Sequence, residues 1–114
     1  MHYVELAFGH FRSNGEPLPT HLIALAEQRV LTVFCQCFRG AQKYNPIGGW
    51  MPNGSLMIEP STIIRAYASE IERHSARLAA LARELREMLE QSSVLLVIVL
   101  MDGVMYWEEA NASV

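Results

Sequence analysis

The sequence predicts an α+β domain of the ferredoxin-like class, a β-α-β-β-α-β sandwich in which one antiparallel sheet carries two helices on one face. Three observations lead to this prediction. Residues 93–101 form a short, nearly continuous apolar run, which is typical of a strand buried on both faces. Asp102-Gly103 separates this run from another at residues 104–107, a pattern that predicts a β-hairpin. A capping-box pattern at Ser69 and Glu72 opens the clearest helix of the chain.

The first part of the chain predicts a strand, a helix and a second strand. Side chains alternate over residues 2–8 as in a strand that is covered on one face. Turn-forming residues fill positions 9–19, and an apolar stripe predicts a helix over residues 19–29, with proline tolerated in its first turn. Residues 30–38 are strongly β-prone and predict strand two.

The later part repeats this order after an inserted hairpin. Pro52-Asn53-Gly54 predicts the tight turn of that hairpin, and strand three is predicted at residues 62–68. In the helix that follows, apolar residues recur with helical spacing from Ile71 to Leu89, and the 93–101 run is strand four. At 114 residues the chain has the length of one domain, so we expect a single domain over residues 1–114 with an extra C-terminal hairpin strand.

Composition excludes several classes of partner. Hydrophobic residues make up 51% and charged residues 18% of the chain, which indicates a globular protein rich enough in apolar surface to face a partner subunit. A formal net charge of −3 provides no field that attracts polyanions, so we expect no nucleic-acid partner. The last apolar run is too short for a membrane helix and no signal-peptide pattern opens the chain, so we expect a cytoplasmic protein without a membrane partner.

Residues that bind metals are scattered through the sequence. Cys35 and Cys37 have C-x-C spacing on predicted strand two, and we interpret them as small buried hydrophobes on one face. The histidines lack the close spacing that metal ligands need, and we expect no metal and no cofactor. The histidines are His2, His10, His21 and His74.

Short segments spread over most of the chain carry a family resemblance: Glu5-Leu6-Ala7-Phe8-Gly9, Leu31-Thr32-Val33, Gly49-Trp50 with Gly54, Glu59-Pro60-Ser61 and Gln91-Ser92-Ser93-Val94-Leu95. Together they resemble a family of small uncharacterised bacterial α+β domains. The chain departs from that family at Ser92, where the family usually has glutamate, and by its extra hairpin. The resemblance implies the ferredoxin-like fold and lends no catalytic residue, because the family has no established activity.

A polar and aromatic patch on the uncovered sheet face is the predicted ligand-binding site. Strands one and three are neighbours in the ferredoxin-like order, so Glu5 and Arg65 are predicted to pair across them, either in a ligand site or as an interface ion pair that only sets the register. Tyr3 and Tyr67 flank that pair on the same strands, and Trp50 is a further candidate. Because strand four is apolar on both sides, we expect a homodimer that packs through the sheet face or the last strand and encloses a cavity for a small-molecule ligand.

These features predict a homodimeric small-molecule-binding or protein-interaction module in which the sequence reveals no catalytic machinery. The alternative is a small dimeric α+β barrel enzyme acting on an anionic small molecule. In that enzyme Arg65 would polarise the anion, and Glu5, Glu59 or His21 would carry protons. Glu59 also fits a carboxylate that stabilises a turn. An RNA-binding sheet shares the element order, but the acidic composition disfavours it.

Overall fold

The computed structural model describes residues 2–51, 53–100 and 103–108, with the backbone alone for Trp50 and for residues 103–108. Within these ranges the chain forms an antiparallel sheet with two α-helices, which confirms the predicted α+β class. The elements are β1 (His2–Gly9), α1 (Thr20–Phe38), β2 (Gln42–Tyr44), β3 (Ile47–Trp50), β4 (Met57–Ala68), a 3₁₀ helix (Ile71–His74), α2 (Ser75–Met88), β5 (Leu95–Leu100) and β6 (Gly103–Glu108).

The strands pair in the order β2-β4-β1-β5-β6, and β3 pairs with the first residues of β4. Glu5 on β1 lies opposite Arg65 on β4, so the predicted contact between strands one and three is confirmed. The last hairpin also forms, with Leu100 opposite Gly103. Two residues of the predicted turns, Pro52 and Asp102, lie outside the described residues.

The core lies between the helices and one face of the sheet. Alternate residues of the central strands are fully buried there and pack against apolar residues of both helices, such as Phe34 and Leu85. The sheet residues of this core are Val4, Leu6, Ile64, Leu96 and Ile98. The other face of β5 is not covered, because Leu95 is 38% exposed. The prediction that this strand is buried on both faces is therefore wrong within one chain.

Predicted strand two is also wrong, since residues 30–38 form the second half of α1. Ala26, Val30, Val33, Phe34 and Phe38 are buried at spacings of three and four, so they form one helical stripe facing the sheet. Burial of that stripe overrides the β propensity of the individual side chains. The two cysteines consequently lie on a helix, where Cys35 is exposed rather than buried. Strand β2 pairs instead at residues 42–44.

The second helix begins later than predicted. Residues 71–74 form a 3₁₀ turn, and Glu70 precedes it in a left-handed conformation, with φ of 56°, and makes no side-chain capping bond. The capping-box prediction at Ser69 and Glu72 is therefore wrong. The predicted apolar stripe is confirmed, because α2 buries Leu78, Leu81, Ala82 and Leu85. Among the described residues, no helix has the length and hydropathy needed to cross a membrane.

Candidate functional site

The predicted polar patch forms on the uncovered sheet face and is centred on Arg65. Its Nε donates to Glu5 Oε1 at 2.5 Å, and its Nη1 donates to the Tyr67 hydroxyl oxygen at 3.0 Å. Its guanidinium carbon lies 4.4 Å from the ring centroid of Tyr3, which is a cation–π distance. The structure therefore brings together four of the five residues predicted for this site.

Tyr44 joins the patch as a residue that the sequence analysis missed. Its ring centroid lies 5.9 Å from the Arg65 guanidinium carbon. The register of β2, with Gln42 opposite Arg65, places it there. It was missed because strand two was predicted at residues 30–38. We call Tyr3, Glu5, Tyr44, Arg65 and Tyr67 the outer-face cluster.

Two other candidates lie elsewhere. The backbone of Trp50 pairs with Met57 at the start of β4, whereas Arg65 lies near the end of that strand, and the Trp50 side chain lies outside the described residues. His21 is exposed in the first turn of α1. Neither residue can be assigned to the outer-face cluster.

The outer-face cluster satisfies its own charges. Hydrogen bonds to Tyr67 and Glu5 raise the pKa of Arg65 above its ordinary value, so the guanidinium stays charged and paired. The side chains of Arg65 and Glu5 are 30% and 17% exposed, so their ion pair is only partly solvated. With its carboxylate and its cation neutralising each other, the cluster fits a contact that fixes the register of β1 against β4 better than it fits an empty ligand site.

A cavity of about 590 Å³ opens where β1 ends and the chain enters the loop of residues 10–19. This volume lies within the range of small-molecule sites. Its walls come from the end of β1, the following loop, the β3–β4 hairpin and the segment before β5. The lining residues are Gly9, Phe11, Arg12, Ser13, Asn14, Gly15, Asn53, Met57, Glu59, Gln91, Ser92 and Ser93. We call it the Glu59 cavity.

Glycine at position 9 makes room for the Glu59 carboxylate. A Cβ atom added to Gly9 would overlap Glu59 Oε1, because the carboxylate folds across the glycine backbone. The backbone N–H of Phe11 then donates to the same oxygen at 3.2 Å. The end of β1 thus holds Glu59 by close approach and by one neutral donor.

Gln91 closes the cavity from the other side. Its Nε2 donates to the carbonyl oxygens of Gly9, at 2.5 Å, and Phe11, at 3.0 Å, so it bridges the two residues that hold Glu59. The Gln91 Oε1 atom is buried and has no hydrogen-bond partner within the part of the chain that the structure describes. The segment before β5 is therefore tied to the cavity wall by a side chain whose orientation is fixed.

The charge of Glu59 has no cationic partner. The other charged lining residue, Arg12, donates from Nε to Glu90 Oε2 at 2.8 Å and lies 3.8 Å from Glu16 Oε2, so its charge is already neutralised. Over residues 2–51, 53–100 and 103–108, Glu59 forms no ion pair. A carboxylate held by a neutral N–H at the wall of a cavity favours a ligand that brings a positive charge.

Sequence reasoning found parts of this site without assembling them. Glu59 was considered as a proton carrier or a turn-stabilising carboxylate, Gly9 as a turn former and Gln91 as part of a segment of the family resemblance, and none of the three was placed in a common site. The four segments meet through tertiary contacts that no local pattern encodes. The one available signal was a glycine at the end of a strand, which often marks close backbone approach. Within the described ranges, no group of three metal-binding side chains converges.

Comparison with known proteins gives a match at the level of structure only. The sequence matches no protein-family model and no curated protein. The structure resembles a phage SAM lyase solved in complex with S-methyl-5′-thioadenosine, with a TM-score of 0.73 and 20% identity over 99% of this chain and 92% of that one. It resembles a phage SAM lyase in the apo state equally, with a TM-score of 0.73 and 20% identity over 99% of this chain and 91% of the other. These likenesses show a shared fold.

This finding corrects the predicted function. The sequence predicted a binding or interaction module without catalytic machinery, whereas both solved structures are of an enzyme, a lyase of S-adenosylmethionine (SAM). Arg65 pairs with Glu5, as the sequence predicted, so its charge is already neutralised and is not available to polarise an anionic substrate.

Proposed function

We propose that this protein is an enzyme that cleaves S-adenosylmethionine and that the Glu59 cavity is its active site. The observation that carries the proposal is the Glu59 carboxylate, which forms no ion pair with any described residue and lies at the wall of a cavity in a chain with the fold of a SAM lyase. SAM carries a sulfonium and an α-ammonium group. One of these cations can make a charge-assisted contact with the Glu59 carboxylate, as Arg65 does with Glu5 in the outer-face cluster.

The size and lining of the cavity support a nucleoside substrate. About 590 Å³ is enough space for a ligand of this class. Phe11 and Met57 provide apolar surface for the adenine ring, while Ser92 and Ser93 provide hydroxyl groups that can bond to polar substrate atoms. The cavity thus offers an apolar part, a polar part and one negative charge.

The proposed reaction breaks the bond between the sulfonium sulfur and Cγ of the aminobutyryl chain. The bonding electron pair returns to sulfur, which becomes the neutral thioether of S-methyl-5′-thioadenosine. Because a lyase adds no water, the four-carbon fragment must supply the electron pair that Cγ loses, either by bonding its own carboxylate oxygen to Cγ or by losing a Cβ proton to solvent while the Cβ–H electron pair forms a Cβ=Cγ double bond. Glu59 contributes by binding and orienting the cationic substrate, since held geometry lowers the barrier of such a step.

The test is product formation from SAM by the purified protein, followed by chromatography and mass spectrometry of S-methyl-5′-thioadenosine. We expect Glu59→Gln to lower kcat/KM about 10- to 100-fold, the cost of losing a hydrogen-bonded charge contact. The matched control is Glu84→Gln, which removes a carboxylate that pairs with Arg29 outside the cavity, and it should retain activity. Absence of product from the parent protein, or full activity of Glu59→Gln, would overturn the proposal.

For the fold, we propose the ferredoxin-like order. The support is the neighbour sequence β2-β4-β1-β5. When β3 is treated as part of an inserted hairpin and β6 as an addition, these strands are the second, third, first and fourth of a β-α-β-β-α-β unit.

For the assembly, we propose a homodimer that packs through the outer sheet face. Leu95 and Tyr67 are 38% and 46% exposed on that face, and half-buried Val97 and Val99 extend the apolar surface between them. Burial of such a surface stabilises association. Light scattering after gel filtration should give twice the chain mass at all concentrations, whereas a monomer would exclude this interface. The cytoplasm remains the proposed location, because a SAM-consuming enzyme must act where SAM is present.

A further inference from the structure

A chain of hydrogen bonds lies behind the wall of the Glu59 cavity and links three elements. His10 Nε2 is 2.7 Å from Thr62 Oγ1, and Thr62 Oγ1 is 2.7 Å from Glu27 Oε2. Thr62 is fully buried on β4, and Glu27 lies on α1. We call His10, Thr62 and Glu27 the His10 chain. It uses none of the residues that line the cavity.

The direction of each hydrogen bond follows from the charge of Glu27. Burial acts to raise the pKa of Glu27, but hydrogen bonds from Thr62, Asn45 and Lys43 outweigh it and hold the pKa below its ordinary value. Glu27 is therefore ionised and can only accept. Thr62 must give its one hydroxyl proton to Glu27, so its oxygen can only accept from His10. His10 is thereby fixed in the tautomer that carries hydrogen on Nε2.

The position of His10 in the sequence connects the hydrogen bonds of the His10 chain to the Glu59 cavity. Gly9 and Phe11, its neighbours in sequence, both line the cavity, whereas the His10 ring bonds to Thr62 on the helix side of the sheet. Its backbone N–H donates to the Pro60 carbonyl at 3.1 Å, directly after Glu59. The residue thus anchors the segment whose Phe11 N–H holds the Glu59 carboxylate.

We propose that His10 is a positioning residue of the Glu59 cavity, which it supports as a neutral imidazole by donating Nε2–H to Thr62. Its link to catalysis rests on the proposed function, while its link to the shape of the cavity does not. Loss of the bond to Thr62 leaves residues 9–11 held by Gln91 and by the backbone bonds of His10 alone, so the Phe11 N–H is held less firmly against Glu59.

The anchor should depend on pH. The charged groups around His10 are Glu27 from α1 and Glu59 from β4, with Lys43 from β2 bonded to Glu27. Burial lowers the pKa of His10 although both carboxylates act to raise it. The neutral ring therefore adds stability above the ordinary histidine pKa near 6.5, and this stability is lost as pH falls through the lowered value in the folded protein.

The first experiment measures the tautomer and does not involve SAM. In protein labelled with ¹⁵N histidine, we expect His10 at pH 7 to show a protonated Nε2 and an unprotonated Nδ1, with a pKa below the ordinary histidine value near 6.5. Thr62→Val, which removes the acceptor and keeps the shape, should allow the two tautomers of His10 to mix. A His10 that is charged at pH 7, or that carries its hydrogen on Nδ1, would overturn the proposal.

The second experiment separates positioning from folding. His10→Gln keeps an N–H donor at the position of Nε2, whereas His10→Ala removes it. We expect amide exchange of Phe11 to rise about tenfold in His10→Ala and to stay near the parent rate in His10→Gln. The rise reflects an equilibrium constant for local opening that is about tenfold larger. Equal exchange in both variants and in the parent would contradict the anchor.

Activity measurements then test the link to catalysis. We expect His10→Ala to lower kcat/KM for SAM about tenfold at pH 8, and His10→Gln to restore most of it. The activity of the parent should fall below pH 6.5 as His10 is protonated, whereas that of His10→Gln should not. If the parent shows the fixed tautomer and slow Phe11 exchange but releases no S-methyl-5′-thioadenosine, the proposed function fails and the anchor is supported. If the parent cleaves SAM and both variants match it at every pH, the anchor fails and the proposed function stands.

Discussion

The outer-face cluster contains the carboxylate of Glu5 on β1, and the Glu59 cavity contains the carboxylate of Glu59 on β4. The two carboxylates differ in the groups that they contact. Glu5 meets a guanidinium from the neighbouring strand, with an Nε–Oε1 distance of 2.5 Å. Glu59 meets a backbone N–H at 3.2 Å and no cation among the described residues. The first carboxylate is neutralised by Arg65 on the neighbouring strand, whereas the second forms no ion pair within the described part of the chain.

This difference shows why a conspicuous patch is a weak guide to function. The outer-face cluster has the arginine, the glutamate and the aromatic rings expected of a binding site, yet its two charged groups bond to each other and Arg65 also bonds to Tyr67. The Glu59 cavity has fewer conspicuous residues, but among the described residues its carboxylate forms no ion pair and the buried Gln91 Oε1 has no hydrogen-bond partner. A site for a ligand is better recognised by interactions that the protein leaves unmade.

The largest effect should come from Gly9→Ala. The added methyl group would occupy the space of the Glu59 carboxylate and force it out of the cavity wall. We expect kcat/KM for SAM cleavage to fall about 100-fold, the scale of a 1 Å displacement in an active site. The rate of S-methyl-5′-thioadenosine release measures it.

Gly40→Ala is the matched control for that substitution. Position 40 has no atom within 4 Å of an added Cβ, so the activity should match that of the parent. If Gly9→Ala also keeps the parent activity, the contrast between the two regions is wrong, because the Glu59 position would then be irrelevant to function.

A smaller effect, on stability alone, should follow from Arg65→Ala. It leaves Glu5 partly buried without its cation, and we expect a loss of about 1–2 kcal/mol in the free energy of unfolding, between the values for exposed and buried pairs. Activity should stay within about threefold, since no neighbour of the Glu59 cavity changes. Urea denaturation and the SAM assay measure the two quantities.

The control for Arg65→Ala is Arg29→Ala, which breaks the exposed ion pair with Glu84. That loss should be below about 0.5 kcal/mol, as is usual for a solvated pair. A fall in SAM cleavage with Arg65→Ala at unchanged stability would return the ligand site to the outer-face cluster.

The sequence was sufficient to predict the two central strands β1 and β4 but not every element of the sheet. Alternation in β1 and β4 was enough to predict which face is buried, and the order of elements predicted that Glu5 would meet Arg65. Residues 30–38 misled because their β-branched and aromatic side chains also recur at helical spacing, and packing on the sheet selects the helix. For β5, the apolar run could not reveal which face another element covers.

The Glu59 cavity was beyond sequence reasoning for a different reason. Glu59 lies between Ile58 and Pro60, which suggests a turn. Its partner Phe11 lies about 50 residues earlier, and Gln91, which bonds to Phe11, lies about 30 residues later, so their approach depends on the pairing of β1 with β4. Single residues could be proposed, but the unpaired charge is a property of the assembled site.

The smallest expected effect tests how the outer-face cluster divides its energy. Tyr67→Phe removes the hydroxyl that accepts from Arg65 and keeps the ring, whose centroid is 5.8 Å from the guanidinium carbon. We expect a loss of about 0.5 kcal/mol, at the low end for one hydrogen bond, because Tyr67 is 46% exposed. Chemical denaturation beside Tyr44→Phe, whose hydroxyl bonds to Gln42 instead, isolates the contact with Arg65.

The two outcomes of that measurement assign the energy differently. A loss as large as that of Arg65→Ala would mean that the hydroxyl, rather than the Glu5 ion pair, holds the guanidinium in place. No loss would mean that Glu5 and the Tyr3 ring are sufficient. In that case Arg65 is held without Tyr67, and the Tyr67 side chain can pack against a second copy at the proposed dimer interface.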